Sequence, residues 1–212
     1  MKDDRIICAA PEKGLGDAPL IVGVDEAGRG PLAGPLVAAA CALCNPAPVG
    51  LDDSKRLSAK RRAALEPQIL SGCAFAVVTI EPAEIDRRNI FGATMHAMTL
   101  AVGVLVETLG IEPDDVLIDG NKTPAGRDDG WRWNAQAIVG GDGLEPAISA
   151  ASILAKEHRD RIMRAASQMH PGFGWERNMG YPTKEHLAAL RERGPTELHR
   201  RSFAPVAQAS LL

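Results

Sequence analysis

LIVGVDEAGRGP, residues 20–31, is the stretch that decides the fold. The apolar run 20–24 predicts a buried strand, and two adjacent carboxylates, Asp25 and Glu26, follow it directly. Neighbouring acids repel each other unless a positive charge lies between them, and a divalent metal ion commonly supplies that charge. The Gly-Arg-Gly turn that comes next lets the main chain approach a phosphate or a sugar closely. Together these features point to phosphodiester chemistry at the end of a strand.

The composition is that of a globular protein with an uneven charge distribution. The 212 residues are 45% hydrophobic and 24% charged, which fits a single domain with a substantial core. The net charge is −3, yet residues 156–201 hold ten Lys/Arg against six Asp/Glu. A basic C-terminal segment on an acidic body suits a protein that grips a polyanion on one side and holds metal ions on the other. Solvated helix faces would give the same counts.

The four cysteines do not have the pattern of a disulfide set or of a zinc site. Cys41 and Cys44 lie three residues apart in a predicted strand, where their side chains would point to opposite faces, and no second pair follows. We expect buried, reduced thiols, as in a cytoplasmic protein. The N-terminus lacks the apolar core of a signal peptide, and we expect no transmembrane helix.

The predicted elements follow the order β-β-α-β-α-β-β-α, with a further helix at the end. Strands are predicted at 20–24, 35–43, 74–80, 116–118 and 131–139, and helices at 58–70, 93–109, 146–166 and 184–193. A hairpin followed by helix-separated strands indicates an α/β fold, with a mixed five-stranded sheet flanked by helices. We divide the chain into a flexible N-terminal arm, 1–19, a catalytic domain, 20–166, and a helical C-terminal extension with a tail, 167–212.

Two further acids follow strand-like runs. Asp119 ends the run 116–118, and Asp142 comes after 137–139 and a pair of glycines. Ligands of open α/β sheets meet the protein at strand ends, so all four acids could converge there, provided that a bend brings Asp25 and Glu26 to the same side. Such a cluster would hold two Mg²⁺ or Mn²⁺ ions about 4 Å apart, able to activate a water and stabilise a leaving oxygen. For any one of these acids taken alone, a strand-end cap or a surface group is the favoured interpretation, but it is not favoured for Asp25 and Glu26 together with the other two.

Several other polar residues are candidates for contacts with a phosphate backbone or a sugar. Ser149, Ser152 and Lys156 fall on one stripe of the predicted helix 146–166, although an ordinary polar helix face has the same pattern. Lys55 lies in a loop before a helix, and Tyr181 lies in a Gly/Pro-rich loop where its ring could stack on a sugar or a base. The run His-Arg-Arg at 199–201 is either a phosphate contact or an exposed basic patch.

A rival motif is present in the same loop. Residues 28–33 match the dinucleotide fingerprint G-x-G-x-x-A after a strand. The residues that follow do not have the pattern of a long helix, so a pyrophosphate would lack its anchor at a helix N-terminus. Two acids directly before the loop would also repel it, which disfavours a dinucleotide site.

In their order along the chain, the motifs resemble those of ribonuclease HII, the type 2 ribonuclease H. The resemblance covers residues 21–203 and consists of GVDEAGRGPLAGP (23–35), DSKRLS (53–58), NI (89–90), ATMHAM (93–98), IDG (118–120), GD (141–142), ISAASILAK (148–156), GYPTKEH (180–186), GPT (194–196) and HRRSF (199–203). Many matches in order are far more specific than any one of them.

The resemblance implies an RNase H-like fold, hydrolysis of the RNA strand of RNA–DNA hybrids, and incision 5′ to single ribonucleotides in duplex DNA. It implies two-metal-ion catalysis that leaves 5′-phosphate and 3′-hydroxyl ends. The implied metal ligands and catalytic residues are Asp25, Glu26, Asp119 and Asp142. The implied substrate contacts are Gly28, Arg29 and Gly30 on the 2′-hydroxyl, Tyr181 on the sugar at the DNA side of the junction, and Lys55, Ser152 and Lys156 on the backbone. The alternative is a non-catalytic hybrid-binding protein.

The C-terminal tail carries a further resemblance. Residues 208–212, QASLL, are similar to the short Gln-led peptides that bind bacterial sliding clamps. The tail therefore adds a sliding clamp to the expected partners, beside the RNA–DNA hybrid and ribonucleotide-containing duplex DNA. We expect no association with a membrane, and we expect a monomer.

Overall fold

The computed structural model describes residues 6–10, 19–52 and 57–210. The strands are β1 (Ile6–Ala9), β2 (Ile21–Ala27), β3 (Leu36–Ala42), β4 (Ala74–Ile80), β5 (Asp115–Asp119) and β6 (Ala135–Ile138). The helices are α1 (Ala59–Gly72), α2 (Pro82–Leu109), α3 (Pro146–Met169), α4 (Trp175–Asn178), α5 (Lys184–Arg193) and α6 (Ala204–Ala209), with a 3-10 turn at Gly141–Gly143.

The described strands form one mixed sheet in the order β1-β4-β3-β2-β5-β6. β2 and β3 pair antiparallel, as the predicted hairpin requires, and β2, β5 and β6 run parallel to one another. The predicted α/β fold is confirmed, but the predicted number of strands is wrong. The additional strand, β1, is only four residues long and pairs antiparallel with β4 at the sheet edge. It lies within the segment assigned to the N-terminal arm, and its four apolar residues are too few to stand out as a strand in the sequence.

The core consists of two layers, one on each face of the sheet. Alternate residues of β3 point to opposite faces. The set 36, 38, 40 and 42 packs with α2, and the set 37, 39 and 41 packs with α1 and α3. All seven residues of β3 are buried, so this strand reads as a continuous apolar run rather than an alternating one.

The predicted starts of α1 and α5 agree with the structure, and a capping residue determines each of them. Ser58 and Thr183 accept hydrogen bonds from the main-chain N–H groups of Arg61 and His186, each at 3.2 Å. Helix α2 is longer than predicted because Pro82 starts it eleven residues before Ala93, and a non-helical residue interrupts it at Asn89, with φ of 58°. The predicted strand 131–139 is too long, because β6 holds only four residues.

The two tryptophans that precede β6 explain its late start. Trp131 Nε1 donates to the carbonyl of Trp133 at 2.7 Å, and the two rings meet edge to face with centroids 5.1 Å apart. This local turn competes with strand pairing, a competition that the apolar pattern of the sequence does not reveal.

Helix α2 is apolar and long enough to cross a membrane by length and composition alone, with a mean hydropathy of 1.5 over its 18-residue window. The expectation that no such run exists is therefore wrong. However, 56% of the window is buried, and the helix packs on one face of the sheet. Its packing is that of a core helix.

The cysteine prediction is also wrong in part. Cys44 and Cys73 form a disulfide, with Cα atoms 4.5 Å apart. They flank the paired strand ends Ala42 and Ala74, so the register of β3 and β4 brings together residues that are 29 positions apart in the sequence. Cys41 is buried as expected, and burial raises the pKa of its thiol to about 12, whereas Cys8 is exposed.

Gly23 allows α3 to lie directly on β2. A Cβ atom at this position would lie 2.1 Å from the carbonyl carbon of Ala147 and 2.3 Å from the main-chain nitrogen of Ile148. Both are main-chain atoms, so no side-chain rotation could relieve the clash. The first turn of α3 can therefore approach the strand only because residue 23 lacks a side chain.

We predict that Gly23→Ala lowers the free energy of unfolding by about 2–3 kcal/mol, because α3 must move away from β2. Urea unfolding measures this difference. Gly103→Ala is the matched control, since its Cβ would meet Trp133 at an ordinary 3.6 Å. In a helix interior this control substitution should raise the stability by about 0.5–1 kcal/mol. Equal effects of the two substitutions would contradict the interpretation.

Candidate active site

Three of the four predicted acids form one cluster. Carboxylate oxygens of Asp25, Asp119 and Asp142 all lie within 4.8 Å of one another. Asp25 and Asp119 come together because β2 and β5 are parallel neighbours in which Val24 pairs with Ile118, so the next residue of each strand is an acid. The prediction of converging strand ends is confirmed for these two residues.

The 3-10 turn brings Asp142 to the other two acids. Its main-chain N–H donates to Asp119 Oδ1 at 3.4 Å, and the hydroxyl of Ser149 donates to its carbonyl at 2.6 Å. Gly140, just before the turn, has φ of 69°, a conformation that favours glycine. Ser149 therefore anchors the turn that carries Asp142, which differs from the phosphate contact considered from the sequence.

The cluster concentrates negative charge in a buried place. Asp25 is 3% exposed, and burial raises the pKa of its carboxyl well above the usual value, with repulsion from Glu26 and Asp119 acting in the same direction. A hydrogen bond from Ser152 partly offsets this shift. Oxygen ligands at short mutual distance that repel one another in the free protein are the donor set of a hard divalent cation, so the residues fit such an ion.

Glu26 has a different position from the one predicted. Its carboxylate is not part of the three-acid group and lies 3.5 Å from Nη1 of Arg29. The two residues are neighbours in a strand, and successive strand side chains point to opposite faces, so only Asp25 faces Asp119 directly. Glu26 still lines the same cleft.

A cleft of about 230 Å³ lies next to the cluster and collects most of the predicted substrate residues. Its lining includes Asp25, Glu26, Gly28, Arg29, Gly30, Asp119, Ser152, Lys156, Arg159 and Tyr181. Asp142 is not among the lining residues and reaches the site only through the carboxylate cluster. Lys55 lies outside the described residues.

Helix α3 supplies the polar wall of this cleft. Ser152 hydrogen-bonds to Asp25, and Lys156 Nζ lies 2.5 and 2.6 Å from the two carboxylate oxygens of Asp160. The predicted stripe therefore exists, but each of its members is engaged by the protein. Lys156 is partly exposed, and its ion pair with Asp160 holds its ammonium group in place.

Two buried arginines hold the glycine-rich loop 28–35, a role that the sequence analysis assigned to neither of them. Arg159 donates to the carbonyls of Ala33 and Pro35 at 3.2 and 2.9 Å. Arg200 donates to the carbonyls of Gly28 and Arg29 at 2.6 and 3.0 Å, and further to residues 34 and 35. The loop is thus fixed through its main chain by side chains from distant parts of the sequence.

Burial has an electrostatic consequence for these two arginines. Arg159 is 1% exposed and Arg200 is 0% exposed. Desolvation lowers the pKa of Arg159 to about 10 and that of Arg200 to about 9, both still above neutral pH. The sequence analysis considered residues 199–201 as either a phosphate contact or an exposed basic patch. Arg200 is neither, because its guanidinium is fully buried. The sequence signal for Arg159 was its place one turn beyond Lys156 on the α3 stripe, and that for Arg200 was the run 199–201, which did not reveal its burial.

The loop needs the glycine at position 28 for space, whereas a side chain at Gly30 would only come into ordinary contact with Tyr181. A Cβ atom at Gly28, where φ is 98°, would lie 2.1 Å from Nε of Arg159. A Cβ atom at Gly30 would lie 3.4 Å from Cε1 of Tyr181. Tyr181 is 44% exposed, so its ring stands at the open edge of the cleft beside the loop.

Comparison with known proteins extends these observations. The family model of ribonuclease HII matches residues 22–206. A ribonuclease HII of Novosphingobium aromaticivorans is 69% identical over 193 residues, covering 90% of this chain and 98% of that protein. The ribonuclease HII in a PCNA complex from Archaeoglobus fulgidus has a TM-score of 0.70 at 25% identity, covering 85% of this chain and 93% of that one. A ribonuclease HIII determined with Mn²⁺ (Bst-RNase HIII) has a TM-score of 0.76 at 22% identity, covering 93% and 70% of the two chains, and supports the fold.

The geometry and the comparisons agree. A cluster of three carboxylates suited to a divalent cation lies at the strand ends of an RNase H-like sheet, and the motifs around it match one family over nearly the whole chain. The chain belongs to the ribonuclease HII family, whose members are metal-dependent endoribonucleases that hydrolyse the RNA strand of RNA–DNA hybrids.

Proposed function

We propose that this enzyme also cuts duplex DNA 5′ to single embedded ribonucleotides, with two Mg²⁺ or Mn²⁺ ions, and leaves 5′-phosphate and 3′-hydroxyl ends. One observation carries the proposal: a single cleft joins the carboxylate cluster to the loop Gly28-Arg29-Gly30 and to the ring of Tyr181. The cluster supports hydrolysis, and the loop and ring support recognition of one nucleotide.

The carboxylates are assigned to metal binding. Asp25, Asp119 and Asp142 would hold the cations, and Glu26 would join them from the edge of the cleft. When bound, the cations supply Lewis-acid activation of a water and stabilise the charge on the leaving oxygen. Ser152 orients Asp25 by its hydrogen bond, and Ser149 keeps the turn of Asp142 in place.

The loop and Tyr181 are assigned to reading the junction between RNA and DNA. Apart from the missing methyl of uracil, the 2′-hydroxyl is the group that marks a lone ribonucleotide within DNA. A glycine-rich main chain can approach this hydroxyl without regard to the base, and Arg159 and Arg200 keep that main chain rigid. The ring of Tyr181 would pack against the next sugar, on the DNA side.

The alternative of a non-catalytic hybrid-binding protein fits the site less well. Three acids within 4.8 Å of one another repel a phosphate backbone unless cations neutralise them. A protein that only bound nucleic acid would gain affinity by replacing these acids, whereas a hydrolase needs them.

We also propose that the C-terminal tail binds a sliding clamp. Gln208 is exposed at the end of α6, and the tail continues to residues 211–212, which lie outside the described residues. The support consists of the sequence QASLL and of the related ribonuclease HII that was determined in complex with PCNA.

We predict that Asp25→Asn abolishes cleavage and raises the stability of the metal-free protein. The raised pKa means that the stability contributed by the neutral carboxyl is present below about pH 4 and is lost as the pH rises through the folded-state pKa. At pH 7.5 the neutral amide of Asn removes the cost of burying a charged carboxylate and its repulsion from neighbouring acids. We expect this to raise the stability by on the order of 1 kcal/mol. The measurements are cleavage in Mg²⁺ of a labelled duplex with one ribonucleotide, and thermal unfolding in EDTA.

Asp129→Asn is the control for this experiment, because Asp129 is an exposed acid that neither belongs to the three-acid cluster nor lines the cleft. It should leave both cleavage and stability close to those of the wild type. Cleavage by Asp25→Asn at the wild-type rate, or by the wild type in excess EDTA, would refute the metal assignment.

Arg29→Ala and Tyr181→Ala are expected to reduce cleavage of the single-ribonucleotide duplex more than cleavage of a continuous hybrid. The physical reason is that one junction offers a single 2′-hydroxyl, whereas a long hybrid offers many registers. We expect a loss of about tenfold or more in kcat/KM on the first substrate. Equal losses on both substrates would contradict the junction assignment.

Removal of residues 208–212 is expected to reduce the amount of enzyme retained by immobilised bacterial sliding clamp, without changing cleavage of a short duplex in solution. The matched control is Gln208→Ala in the full-length chain, which should lose part of the same binding. Equal retention of the full-length and shortened proteins would remove the tail proposal.

A further inference from the structure

Two buried histidines form a hydrogen-bonded chain that ends on the main chain of Tyr181. His186, in α5, has Nδ1 3.0 Å from the carbonyl oxygen of Tyr181 and Nε2 3.1 Å from Nε2 of His199. His199 lies after α5, and its Nδ1 is 2.9 Å from the main-chain nitrogen of Thr196. The two imidazoles are 0% and 1% exposed.

The fixed donors at this chain determine where each proton lies. The main-chain N–H of Thr196 can only donate, so Nδ1 of His199 accepts, and a neutral His199 carries its proton on Nε2. Nε2 of His186 therefore accepts from His199, and it also accepts from Nε1 of Trp175 at 3.1 Å. The proton of His186 is then on Nδ1, where it is donated to the carbonyl of Tyr181.

Both histidines must be neutral for this arrangement to exist. A second proton on His186 would set its Nε2–H against the Nε2–H of His199 across the 3.1 Å contact. A second proton on His199 would set its Nδ1–H against the main-chain N–H of Thr196 at 2.9 Å. Burial lowers the pKa of both imidazoles, that of His199 to about 3, with His186, His170 and Arg201 acting in the same direction. Around His186, the carbonyls of Tyr181 and Gly180 and the carboxylate of Glu185 oppose the shift without cancelling it.

The main chain of Tyr181 sets the position of its ring. The ring is 44% exposed, so packing on the side chain constrains it less than it would in a core. The preceding residue, Gly180, is tied to the glycine-rich loop, because its carbonyl accepts from the N–H of Leu32 at 2.8 Å. The next carbonyl, that of Tyr181, accepts from His186 of the histidine chain and also from the main-chain N–H of Thr183 at 2.8 Å.

We propose that His186 and His199 are positioning residues for recognition of the RNA–DNA junction, acting by fixing the main chain of Tyr181 beside the loop of Gly28 to Gly30. This inference rests on the role proposed above for Tyr181. It adds that two buried residues that do not line the cleft take part in substrate choice.

A pair of substitutions at His186 separates the two ends of the ring. His186→Gln places an amide near Nε2, which can still accept from Trp175 and His199 but cannot reach the carbonyl of Tyr181. His186→Asn places its amide near Nδ1 and keeps the donor to that carbonyl. We expect His186→Gln to lower kcat/KM on the single-ribonucleotide duplex by about tenfold and to change cleavage of a continuous hybrid much less. His186→Asn should restore most of the wild-type ratio between the two substrates.

A double-mutant cycle tests whether His186 acts through Tyr181. In the background of Tyr181→Ala, His186→Gln should add little to the loss on the single-ribonucleotide duplex. Independent, multiplicative losses, or a wild-type substrate ratio in folded His186→Gln, would overturn the inference. Thermal unfolding verifies that each variant is folded.

Two further outcomes are a His186→Gln variant that does not fold and a Tyr181→Ala variant with an unchanged substrate ratio. If His186→Gln does not fold, His199→Asn replaces it, since it keeps the acceptor for Thr196 but removes the donor to His186; a wild-type ratio in His199→Asn would overturn the inference. If Tyr181→Ala itself leaves the substrate ratio unchanged, the role proposed for Tyr181 fails, and the inference fails with it.

Discussion

The site depends on the close approach of α3 to β2, which the missing side chain of Gly23 permits. From this position, α3 contributes three side chains that hold parts of the site. Ser149 holds the turn that carries Asp142, Ser152 hydrogen-bonds to Asp25, and Arg159 holds the glycine-rich loop. If a Cβ atom at residue 23 displaced the helix, all three of these contacts would be lost. The geometry of the active site therefore depends on the packing of α3 on β2.

The electrostatics of the site follow from this packing. The cluster of carboxylates costs stability because burial and mutual repulsion raise the pKa of Asp25. The compensating positive charges of Arg159 and Arg200 are not paired with these acids and instead bind main-chain carbonyls of the loop. The charges of these two arginines therefore give the loop its rigidity. Residues that serve function here reduce stability, while nearby charges serve mainly to hold shape.

The glycine-rich loop belongs to the N-terminal part of the chain, but the C-terminal segment holds it in place. Besides the two arginines, the N–H of Gly34 donates to the carbonyl of Leu198, and the N–H of Arg200 donates to the carbonyl of Leu32, each within 2.9 Å. Part of the basic charge counted in residues 156–201 is therefore internal, at Arg159 and Arg200, and only the remainder is available to attract a polyanion. The count of charges suggested a basic surface, but the burial of Arg159 and Arg200 shows that these two support the loop instead.

The sequence by itself determined the α/β class, the hairpin, the capped helix starts and the acids that come together at the strand ends, because these depend on local periodicity and on residues adjacent to strands. It also contained the motifs by which the family is identified. Only the tertiary structure decided that β1 joins the sheet edge, that Cys44 pairs with Cys73, that Glu26 turns towards Arg29, and that Arg159, Arg200, His186 and His199 are buried supports. The physical reason is that burial and hydrogen-bond partners arise between residues far apart in the chain, such as Arg200 and Gly28, and a polar residue has the same local pattern whether it faces solvent or a main-chain carbonyl.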